Sequence, residues 1–67
     1  MFLRMEHRHL VFRAVITMEY AIFNVLGQKV MVGSTDGTIS VVDLEKGFYV
    51  LQLKGEKLLE TAKFIVK

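Results

Sequence analysis

The sequence predicts an all-β domain, an antiparallel sandwich or open barrel of about five strands joined by short turns. Three observations lead there. Apolar residues alternate with polar ones at a period of two along several segments, the spacing that puts one face of an extended strand into a core. Gly-containing clusters stand between those segments, where the chain can reverse. No segment makes a convincing helix with a start and a stop signal of its own.

The first thirteen residues differ in composition from the rest. All three arginines (Arg4, Arg8, Arg13) and both histidines (His7, His9) fall here, while the remainder carries six lysines against six acidic residues. The chain therefore divides into a basic N-terminal tail or foreign segment over residues 1–13 and one domain over residues 14–67. From Leu10 to Ile22 every even position is apolar, whereas the odd positions include Arg13, Thr17 and Glu19. A helix competes, because Leu10, Val11, Ala14, Val15, Met18 and Ile22 also lie at helical spacing. The β-branched Val11, Val15, Ile16 and Thr17 and the absence of caps favour a strand, one long enough to need a bend or bulge inside it.

Asn24 to Gln28 reads as a hairpin turn, with Gly27 free to take a positive φ. Lys29 to Val32 is its second arm, and "GSTDG" at residues 33–37 reads as a loop. "TISVVDL" reads as a strand, "EKG" as a turn, and "FYVLQLK" as a strand with Tyr49, Leu51 and Leu53 on one face. Tyr49 is expected to point inward, and Phe48 outward or onto a second sheet. "GEK" at residues 55–57 is another tight turn. In the closing "LLETAKFIVK" a helix through Leu58, Leu59, Ala62 and Val66 competes with a strand that puts Ala62, Phe64 and Val66 on one face; turn spacing and the final "FIV" favour the strand.

Composition removes several function classes. A chain of 67 residues forms one small domain that buries only about 60% of its unfolded surface. There is no cysteine, so neither a disulfide framework nor a thiolate metal site is open to it. Arg13, Glu19, Lys29 and later charges interrupt every apolar run before it reaches the roughly 18 residues that span a bilayer. "MFLRMEHRHLVF" has no continuous apolar region fit for a secretory signal.

Chemistry-bearing residues are sparse. His7 and His9 could share a strand face as a metal clip, but no third ligand is apparent, and solvated histidines are the simpler reading. Three arginines near Phe2 and Phe12 are too few for a nucleic-acid surface. Ser34, Ser40 and the threonines lack an ordered partner for nucleophilic catalysis. Asp36 before Gly37 reads as a turn former, and Asp43 as a strand-end cap rather than half of an acid–base pair or calcium site with Glu45. The glycines at 27, 47 and 55 are too far apart to cradle a phosphate. The expectation is a non-enzymatic protein with no cofactor, metal, nucleic acid or small-molecule substrate.

The order "AIFNVLGQKV", a Gly/Asp-rich loop, "ISVVDLEKGFYVLQL", a Lys/Gly turn and a terminal "KFIVK" resembles the C-terminal sorting domain of type IX secretion system cargo proteins. The matching positions are Phe23 and Asn24 before Gly27 and Gln28, Asp43 and Leu44 before Gly47 and Tyr49, and Lys63 to Lys67, so the likeness covers about residues 19–67. It implies a Greek-key or immunoglobulin-like β-sandwich. The "YPNP"-like opening and earlier strands of that family are absent, so Leu10 to Tyr20 must supply what two or three strands normally supply, and the sandwich is expected to be incomplete. The block before Gly47 is also shortened, from the family's "DLSxLxxG" to "DLEKG".

The resemblance further implies a role at the end of an exported cargo protein of Bacteroidota-type bacteria, secreted or held at the outer-membrane cell surface. Its partners would be the outer-membrane secretion translocon and a sortase-like peptidase. Gly27, Gln28, Gly47, Tyr49, Lys63 and Lys67 are the translocon-recognition candidates it carries over. Lys63 and Lys67 have an equally good reading as charges that keep an edge strand from aggregating. A rival of another class is a structural, self-associating β-module, a homodimer in which the Leu10 to Ile22 strand pairs between chains.

Overall fold

The computed structural model describes residues 3–67, so Met1 and Phe2 of the basic segment lie outside the described residues. The alternating pattern becomes seven strands: β1 (Leu3–Glu6), β2 (His9–Phe12), β3 (Met18–Phe23), β4 (Lys29–Thr35), β5 (Thr38–Ser40), β6 (Gly47–Lys54) and β7 (Leu59–Val66). They form two sheets, ordered β1-β2-β5 and β4-β3-β6-β7, and every neighbouring pair is antiparallel. The chain crosses between sheets after β2, β4 and β5, which is the Greek-key distribution of an immunoglobulin-like sandwich.

Even-numbered residues of β2 and β3 and odd-numbered residues of β5 and β6 meet between the sheets. Leu10, Phe12, Ile39 and Val41 come from the three-stranded side. Met18, Ile22, Tyr49, Leu51, Leu53, Phe64 and Val66 come from the four-stranded side, and all belong to one cluster. Leu10, Ile22, Leu51, Leu53 and Val41 are fully buried, each worth roughly 1.5–3 kcal/mol against an exposed position. The faces expected for Tyr49, Leu51 and Leu53 and for Ala62, Phe64 and Val66 are the ones the fold uses, with Ala62 half-buried.

Among the described residues there are seven strands rather than about five, and the additional pairing lies at the N-terminal side. Leu3–Glu6 and His9–Phe12 form a hairpin in which Glu6 opposes His9. His7 and Arg8 turn it with φ of 49° and 61°, the left-handed pair of a type I′ turn. The change of composition near residue 13 falls where β2 ends and the chain crosses to the other sheet, and residues 3–12 on its N-terminal side belong to the sandwich. β2 pairs with β5 through Leu10↔Ile39, so the three-stranded sheet is supplied from within the chain and the sandwich has both layers.

The single long strand expected over Leu10 to Ile22 is instead two. Residues 13–17 carry the chain from one sheet to the other, with Val15 and Ile16 exposed. Both pieces are central strands, β2 between β1 and β5 and β3 between β4 and β6. Neither offers a free edge for the between-chain pairing that the rival reading needs.

Two other boundaries shift. Gly33, Ser34 and Thr35, read as loop, complete β4, because the Tyr20 ring lies where a Gly33 side chain would stand: a Cβ there would sit 2.9 Å from Tyr20 Cε2. The aromatic ring covers the glycine and lets the strand continue. "TISVVDL" keeps only Thr38–Ser40 as strand. Val41 N–H still bonds the Arg8 carbonyl at 2.9 Å, and Leu44 N–H bonds the Val41 carbonyl at 3.1 Å, so the chain turns there with Val41 and Leu44 inside.

Candidate functional site

The site builds from the turn between β3 and β4. Asn24 organises it: its Oδ1 accepts from the N–H groups of Leu26 and Gln28, each at 3.0 Å, and its Nδ2 donates to Gln28 Oε1 at 2.9 Å. An Asn side chain that replaces backbone partners in this way defines an Asx-type turn. Gly27 takes φ +80° with nothing within 4 Å of a Cβ placed there. With its backbone so fixed, the turn holds Val25 and Leu26 in solvent, 77% and 79% exposed.

Beside this turn β6 begins. Gly47 has φ +152° and opposes Val66 of β7. Tyr49 points inward and stacks on Phe64 with ring centroids 5.6 Å apart, while its hydroxyl donates to the Glu45 carbonyl at 2.7 Å. A Tyr at the start of this strand, bonded to backbone a few residues upstream, is the tyrosine corner of immunoglobulin-like sandwiches. Phe48 faces the other way and is 64% exposed.

Register then arranges the outer face of the four-stranded sheet in rows. Phe48 lies opposite Ile65. The next row runs Lys29, Phe23, Val50, Lys63, with Lys29 Nζ 5.9 Å from the centre of the Phe23 ring, a cation–π distance. Further along come Val32, Ala21, Gln52 and Thr61, then Ser34, Glu19, Lys54 and Leu59. One end of this face is thus apolar with a lysine at each margin. The other end is mostly polar, with Glu19 beside Lys54.

Two shallow grooves open at the apolar end. One, of about 270 Å³, lies between Asn24 and Val25 of the turn and Phe48, Val50 and Lys63. The other, of about 330 Å³, lies between the end of β7 (Ile65, Val66, Lys67) and the β1–β2 hairpin (Met5, Arg8). The Arg8 guanidinium is fixed there by a 2.8 Å bond from Nη2 to the Leu44 carbonyl. Each groove joins apolar walls to cationic side chains, and no side-chain carboxylate among the described residues lines either one.

All six candidates named from the sequence fall at this one end: Gly27 and Gln28 in the turn, Gly47 and Tyr49 at the start of β6, Lys63 and Lys67 at the end of β7. Five stand on turns, edges or the outer face, and Tyr49 is in the core, where it shapes the corner beneath them. Sequence reasoning passed over Val25, Leu26, Phe48 and Ile65, whose signal is apolar residues at turn or outward-facing positions. Arg8, which the composition places in the N-terminal segment, also carries no signal of this kind in the sequence. Away from this end, Asp36 and Gly37 form a turn in which Thr35 Oγ1 accepts from Gly37 N–H at 3.1 Å and donates to the Thr38 carbonyl at 2.9 Å. His9 Nδ1 lies 2.9 Å from the His7 carbonyl.

The described residues thus form an all-β sandwich that gathers a rigid turn, open strand edges and two shallow cationic grooves at one end, with a larger open groove of about 480 Å³ on the outer face beside Glu19 and Lys54. More particularly, the chain matches the family model of the secretion system C-terminal sorting domain over residues 6–67 and belongs to that family. No curated protein and no solved structure matches it. Domains of this family are generally non-catalytic C-terminal signals for type IX secretion that engage the secretion machinery, and the parent protein is one that is exported to the cell surface or secreted.

Proposed function

We propose that this domain delivers its cargo by docking on the outer-membrane translocon through the end of the four-stranded sheet that carries the Asn24–Gln28 turn, the start of β6 and the end of β7. A sortase-like peptidase then separates domain from cargo as the cargo reaches the cell surface. The observation that supports this reading is convergence: positions spread from Gly27 to Lys67 in sequence collect at one end of one sheet, around grooves that pair apolar walls with cations. A docking end of this kind reads shape through backbone and side chains together, and needs no bond-making chemistry.

The test is to fuse the full chain to the C-terminus of a passive reporter in a type IX-competent bacterium. Export of the reporter to the surface or medium is the expected outcome. Retention inside the cell, with the fused domain folded, overturns the reading.

A further inference from the structure

β7 is an edge strand of the four-stranded sheet, and the groove beside its end separates it from β1, the edge of the other sheet. Along β7 the outward positions run Thr61, Lys63, Ile65, with Lys67 following in the same alternation; all are exposed. The inward positions Phe64 and Val66 are buried. From the geometry we infer that β7 accepts an extended partner segment as a fifth strand, and that this segment carries acidic, apolar and acidic side chains at alternate positions on its outward face.

Each part of that pattern has a cause. An edge strand leaves backbone groups unpaired, so an added strand gains a ladder of main-chain hydrogen bonds. Residues directly opposite across an antiparallel pair lie close enough to interact, so Lys63, Ile65 and Lys67 select carboxylate, apolar side chain and carboxylate in turn. Phe48 sits opposite Ile65 on the same face and extends the apolar contact. The partner's inward side chains enter the groove against Met5 and Val66, where Arg8 adds a third cation. A second copy of β7 fits poorly, because it brings its own lysines to a margin already cationic.

That the segment belongs to the secretion machinery rests on the sorting reading; its charge pattern rests on β7 alone. The test titrates the isotope-labelled full chain with two synthetic peptides, Thr-Glu-Thr-Ile-Thr-Glu-Thr and its counterpart with lysine in place of glutamate, followed by NMR. Amide shifts should concentrate in Leu59–Val66, with the acidic peptide preferred by about tenfold. The exposed double variant Lys63→Glu, Lys67→Glu should reverse that preference while its spectrum stays folded. Equal affinity for both peptides, no binding, or shifts confined to β4 overturns the inference. The two readings fail separately: loss of the peptide preference while the parent domain still exports the reporter removes this inference and leaves the sorting reading standing, whereas retention of the reporter with the peptide preference intact removes the sorting reading alone.

Discussion

The two turns that flank β4 do opposite work. The Asn24–Gln28 turn stands clear of the molecule, is closed by its own bonds (Asn24 N–H to the Gln28 carbonyl and Gly27 N–H to the Asn24 carbonyl, each 3.0 Å, with the Asn24 side chain), and leaves open space around Gly27. The Asp36–Gly37 turn is where the chain crosses between sheets. Gly37 takes φ +131°, its carbonyl accepts from Phe12 N–H at 2.9 Å, and a Cβ added there would lie 2.8 Å from the Phe12 carbonyl oxygen. One turn is fixed from within and faces outward; the other is clamped by its surroundings. A fold that secures its crossover so tightly can leave a distant turn free to carry recognition.

Three variants sharpen this contrast. Gly37→Ala should be the most damaging, because left-handed backbone strain adds to a clash with main chain that cannot move aside, a loss of about 3 kcal/mol. Thermal denaturation should then shift down by about 15 °C; an unchanged midpoint would mean that the crossover is not clamped as described. Gly27→Ala meets strain without a clash, about 1–2 kcal/mol, so its midpoint should fall by about one to two thirds as much. Parity between the two glycine variants would dissolve the distinction. The double variant Val25→Ser, Leu26→Ser should change stability by no more than about 0.5 kcal/mol yet reduce export of a fused reporter. Full export would show that these apolar tips contact nothing that matters for sorting.

Much of the four-stranded sheet was legible, and the reason is local. In β6 and β7 the inward positions Tyr49, Leu51, Leu53 and Ala62, Phe64, Val66 recur at every second residue, although Phe48, Val50 and Ile65 are apolar on the outer face, and in β3–β4 the turn residues Asn24 and Gly27 announce the reversal. The candidate end was legible through those same turn and strand residues. The three-stranded sheet was harder to see. Its first turn uses His7 and Arg8 at positive φ, positions where Gly or Asn would normally mark a type I′ hairpin. β1 buries little, since only Leu3 is partly covered, so its periodicity is faint. Between β2 and β3 the even-position pattern runs on through Ala14 and Ile16, although the chain there is crossing from one sheet to the other. Gly33 hid the end of β4 because what completes the strand is the ring of Tyr20, thirteen residues away in sequence and opposite in register.

The place of β6 has a consequence for biosynthesis. It lies between β3 and β7 and supplies Tyr49, Leu51 and Leu53 to the core, yet it leaves the ribosome after β3 and β4. Until then Ile22 has no cover from this side, and the corner made by Tyr49 does not exist. The end of the sheet that carries the Asn24–Gln28 turn therefore takes its shape only once the β6–β7 hairpin has joined β3, so its surface belongs to the folded domain and not to any short stretch of the chain.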